Sequence, residues 1–122
     1  YLLVMYYTPN GLYNGHMGTT ASITEPGIVI YHVDARLASN ASEWDYFMNN
    51  SDGTSNFLVS ILEADNNNSI PSSSAAIQNS DILRSGAIDL SSYTWNQGGK
   101  IDVKISITTM TTSGASLNIE VR

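Results

Sequence analysis

Residues 100–122 constrain the fold more than any other part of the chain. In "KIDVKISITTM", Ile101, Val103, Ile105 and Ile107 alternate with Lys100, Asp102, Lys104 and Ser106. In "ASLNIEVR", Leu117, Ile119 and Val121 alternate with Ser116, Asn118 and Glu120. A period of two is the side-chain repeat of a strand, and it separates one apolar face from one polar face. The intervening "TTSGA" supplies, in Gly114, the residue a tight turn accepts most readily. The pattern predicts an antiparallel hairpin with one face in a core and the other in water.

Two further segments read as strands covered on both sides. In residues 27–34, "GIVIYHVD", Ile28, Ile30, His32 and Asp34 share one face while Val29, Tyr31 and Val33 share the other. Residues 56–65, "NFLVSILEAD", place Phe57, Val59 and Ile61 opposite Leu58, Leu62 and Ala64. Strands apolar on both faces belong at the centre of a covered sheet. Residues 1–8 read as another strand, closed by the turn signal Pro9-Asn10-Gly11. Charged residues make up only 13% of the chain, so its polar surface must come from Ser, Thr and Asn, which favour turns and pleated surfaces over helices. The expected fold is all-β: a single antiparallel sandwich or jelly-roll-like domain over residues 1–122, with long loops. One or two short helices are expected within it. The first is "SEWDYFM", with Ser42 as N-cap and Glu43 and Asp45 in the first turn; the second is "SSSAAIQ". The first strand is already under way at Tyr1, and the chain is expected to be a portion of a longer secreted protein.

Charge and composition narrow the partners. A net charge of −6 with five Lys and Arg provides no basic patch to neutralise phosphates, so no nucleic-acid partner is expected. The same shortage argues against docking on an anionic membrane, and no apolar run approaches the ~20 residues of a membrane span. Without cysteine there are no disulfides and no thiolate metal sites.

The candidate chemistry is sparse. His32 and Asp34 lie on one face about 7 Å apart along the strand, a spacing that suits a metal pair or a carboxylate-oriented imidazole. A catalytic zinc needs three protein ligands, and the only other histidine is His16 in a glycine-rich loop. His32 and Asp34, with Glu63 and Asp65, are therefore read as a structural polar cluster holding strand ends. The chain has no His-Glu-x-x-His and no Gly-x-Ser-x-Gly, so no catalytic residue is assigned. The Asn-rich loop offers calcium candidates in Asp65, Asn67 and Asp81. It fails the EF-hand pattern, because Ile70 stands where the invariant glycine belongs and Ala76 where the bidentate glutamate belongs. Trp44 and Trp95 are candidate sugar-contact aromatics.

The order of these pieces resembles the secreted bacterial metallopeptidases of the immune inhibitor A type. The resemblance runs through "GIVIYHVDARL", "NFLVSILEADN" and the closing "KISITTMTTSGASLNIEVR", and is anchored on Gly27, His32, Asp34, Glu63, Ala64, Asp65 and Gly114. In that family a Tyr-His-Val-Asp strand follows the zinc-binding core, and a strand ending in Ala-Asp and a closing hairpin come after it. The family's preceding strand ends in a Glu-Asn-Arg-like polar group, where this chain has Met5-Tyr6-Tyr7. The resemblance implies a non-catalytic β-rich part of such a peptidase, secreted or on a bacterial surface, with an upstream catalytic domain as its partner. Zinc would then belong to the parent protein, with no cofactor in these residues. The alternative expectation is a cell-surface carbohydrate-binding or adhesive sandwich, with calcium as a candidate cofactor.

Overall fold

The computed structural model describes residues 1–9, 23–35, 57–67 and 77–122, and the backbone of 37–40 and 43–46. Among the described residues eight strands form, in chain order: β1 Leu2–Tyr7, β2 Gly27–Val33, β3 Leu37–Asn40, β4 Glu43–Tyr46, β5 Val59–Ile61, β6 Ala87–Asp89, β7 Val103–Met110 and β8 Ala115–Val121. They pair antiparallel into sheets of order β1-β2-β5, β3-β4 and β6-β7-β8. The only helical element among the described residues is the 3-10 turn Leu90–Ser92, so the fold is all-β.

The two three-stranded sheets share one core. Ile28 and Ile30 of β2 pack with Ile88 of β6, Ile105 of β7, and Leu62, Leu83, Leu90 and Ile101. On the opposite face of β2, Val29 meets Ile23 and Ile82. β2 is therefore covered twice, as its composition predicts, because β1 and β5 flank it and side chains close over both faces. Burial of a side chain such as Ile28 or Ile30 contributes about 1.5–3 kcal/mol each. Gly27 opens the strand where space is shortest. A Cβ there would lie 2.5 Å from Ile82 Cδ1 and 2.9 Å from its Cγ1, so the glycine allows residue 82 to close over the sheet.

The expected hairpin of β7 and β8 forms, with Ile105 opposite Ile119, Val103 opposite Val121 and an irregularity between Ile107 and Thr109. Its predicted apolar face is only partly covered. Ile105 is fully buried, whereas Ile119 is 53% exposed and Val121 78% exposed. β8 is an edge strand, and the core reaches its Ala115 and Leu117 end but not its far end. Gly114 does not adopt a left-handed φ; the turn is held by Thr111 N–H on the Gly114 carbonyl at 2.9 Å, so it does not require glycine.

Two other expectations need correction. The strand predicted over 56–65 is regular only at Val59–Ile61, and Val59 is 39% exposed, so β5 is not covered on both faces. The helix predicted for "SEWDYFM" is absent: Glu43–Tyr46 is a strand paired with Leu37–Asn40. The physical reason is that a single helical turn is marginal alone, while aromatic Trp44 and Tyr46 favour a paired, pleated backbone. β6 has no counterpart among the expected strands; its three residues follow Gly86, which has φ +70°. The "SSSAAIQ" candidate lies largely outside the described residues.

Candidate functional site

The end of β2 is polar, and its backbone is tied beyond the strand. Val33 N–H donates to the Tyr1 carbonyl at 2.8 Å, and Asp34 N–H donates to the Leu58 carbonyl at 2.9 Å. These bonds carry both flanking strands one step further and fix where the side chains of residues 32–34 project. His32 and Asp34 are buried, at 4% and 7% exposure. The His32 ring meets Trp95 edge-on, with centroids 5.2 Å apart and planes at 61°. That geometry is favourable for aromatic pairs.

Trp95 is presented by a tight reversal. Gly98 N–H donates to the Trp95 carbonyl at 2.8 Å, Trp95 N–H to the Gly99 carbonyl at 3.0 Å, and Thr94 bridges Lys100. Gly98 and Gly99 both have φ +83°, a left-handed conformation that side chains resist. The Asn96 carboxamide donates to the Phe57 carbonyl at 3.0 Å and anchors the reversal to the segment before β5. Together these elements form an open cleft of about 320 Å³, whose lining includes Tyr1, His32, Asp34, Trp95, Asn96 and Gln97.

A second polar group lies after β5. Ligand-capable oxygens of Glu63, Asp65 and Asp81 all lie within 4.8 Å of one another, with Glu63 fully buried and Asp81 nearly so. Ala64 N–H donates to the Asp81 carbonyl at 2.9 Å, which holds the two segments together. Asp81 Oδ2 accepts from Gln78 N–H at 2.6 Å and its Oδ1 from the Ser80 hydroxyl at 3.2 Å. Asp65 Oδ1 accepts from Asn67 N–H at 2.9 Å, an Asx turn that Asn66 completes with φ 58°. The Tyr93 hydroxyl donates to the Glu63 carbonyl at 2.8 Å. Burial first, then the negative charge of Glu63, pushes the Tyr93 hydroxyl up to about 12. Oxygens this close can face one cation, and calcium takes about six to eight oxygen ligands, of which these three side chains supply only part.

Comparison with known proteins finds no matching family model, no matching curated protein and no matching solved structure. No helix among the described residues is long and apolar enough to cross a membrane.

The structure brings Glu63 and Asp65 together with Asp81, and puts His32 and Asp34 on the wall of the cleft. Among the described residues, His32 joins no group of three metal-ligating side chains. Asn67 enters the acidic group as a backbone donor to Asp65. Trp95 lies in the cleft, while the Trp44 side chain and His16 fall outside what the structure describes. Sequence reasoning missed Asn96 and Gln97. The signal that could have found them is "WNQGG", in which two carboxamides sit between an aromatic and a glycine pair that forces a turn.

Proposed function

We propose that residues 1–122 are a non-catalytic β-module of an immune inhibitor A-like, secreted bacterial metallopeptidase, supporting a zinc-binding catalytic core upstream in the same polypeptide. The observation that carries this reading is the placement of the resembling strand. "GIVIYHVD" is the central strand of its sheet, and both polar residues at its end are buried beside backbone ties to β1 and the segment before β5. A polar pair in that position organises a strand end and the loops leaving it. These residues contain no His-Glu-x-x-His, so on this reading the zinc chemistry belongs to the upstream core.

The test extends the polypeptide upstream of Tyr1 as its gene encodes it. A His-Glu-x-x-His in that extension, zinc-dependent peptidase activity in the extended protein and none in residues 1–122 are the expected results. An extension without that motif, or peptidase activity in residues 1–122, overturns the reading.

A further inference from the structure

The cleft at the end of β2 combines an indole, a carboxylate and two carboxamides, and this lining points to a ligand. We infer that it is a binding site for a single neutral sugar ring, with Trp95 as the apolar platform and Asp34 and Gln97 as hydroxyl partners. Several features converge on that ligand class. The volume, about 320 Å³, lies at the small end of ligand cavities, which run roughly 300–1,000 Å³. It suits one ring rather than an extended chain.

The lining mixes donors with acceptors around an aromatic. An indole offers an apolar surface and one N–H, a carboxylate only accepts, and a carboxamide does both. Sugar hydroxyls donate and accept at once and so use every member of that set, while the C–H face of a pyranose covers an indole. The site is also built before a ligand arrives. The two left-handed glycines fix the reversal that carries Trp95, Asn96 and Gln97, and the Asn96–Phe57 bond anchors it to the neighbouring segment. Preorganisation of this kind reduces the ordering cost of binding. Trp95 is half-buried, packed in part against the main core, and held by the His32 ring, so its plane is set by the fold.

The test titrates free hexoses and N-acetylhexosamines into the 122-residue chain, read by saturation-transfer NMR. A single-ring ligand is expected to bind with a Kd on the order of 1 mM. Trp95→Ala is expected to weaken binding at least about tenfold, the scale of a lost aromatic anchor. Because Trp95 also touches the core, Gln97→Ala serves as the second variant. Gln97 is exposed, and its replacement should weaken binding several-fold while leaving the thermal melt unchanged. Three results overturn the assignment. The first is no saturation transfer from any sugar in the panel, and the second is binding unaffected by both variants. The third is selective binding of lysine- or arginine-bearing peptides that fades as salt is raised, which marks the cleft as a cation site.

Discussion

β2 and β8 are both seven-residue strands built on apolar residues, yet they meet opposite fates. Six of the seven residues of β2 are buried, while five of the seven in β8 are exposed. The difference does not lie in hydrophobic content alone. β2 has a paired strand on each side and side chains closing over both faces, whereas β8 has one neighbour and overhangs the core. Position within the sheet therefore decides burial. A strand's own alternation decides only which face is available to be buried.

The sharpest way to break this comparison is to remove the same mass from both strands. Ile30→Ala in β2 is expected to cost about 2–5 kcal/mol in denaturant unfolding, the range for a buried aliphatic truncation. Equal costs for Ile30→Ala and a matched truncation in β8 would show that the two strands are equally buried in solution. Gly27→Ala comes next, at about 1–3 kcal/mol, because its new Cβ must displace Ile82 in a packed site. Tyr93→Phe follows, at about 1 kcal/mol near neutral pH for the lost hydrogen bond to Glu63. It also carries a pH signature. The Tyr93 hydroxyl is raised from 10.0 to about 12, so its contribution is present below pH 10 and is lost as pH climbs toward 12. The phenylalanine variant should flatten that alkaline decline.

The smallest effects belong to the β8 side. Ile119→Ala should change stability by no more than about 0.5–1 kcal/mol, since the side chain is half in water already. Asp89 lies on β6, across β7 from this edge, and pairs with Arg122 from the end of β8 at 2.9 Å. Its carboxyl is lowered from 3.8 to about 2, first by the Ser91 backbone N–H and the Ser91 side chain, then by Arg122. A lowered carboxylate contributes stability above its unfolded value that disappears as pH falls from 3.8 toward 2. Asp89→Asn should remove that slope, and the change should be slight because the group is solvent-exposed and salt-screened.

The regular parts of this fold are legible in the sequence wherever period and neighbours agree. The alternation of residues 101–107 locates β7, and the double-sided apolar run of 27–33 locates a central strand. Legibility fails where a short segment depends on its partner. Residues 43–46 carry a plausible N-cap and acidic first turn, yet pairing with Leu37–Asn40 overrides that local preference. β6 is three residues long, too short for any period to register. At the candidate site, His32 and Asp34 stand out because two polar residues close an apolar strand. Asn96 and Gln97 do not, because their position depends on a reversal that brings residues 94–100 back beside β2. The sequence suggests Asp81 as a neighbour of Asp65, whereas the burial of Glu63 among three carboxylates follows from contacts that only the folded chain makes.

That the polar end of β2 is structural, and not a zinc site, is tested most directly by calorimetric zinc titration of the chain alongside His32→Ala. The expected result is no stoichiometric tight binding in either protein and no peptidase activity. One equivalent of tightly bound zinc, lost on replacing His32, would contradict it.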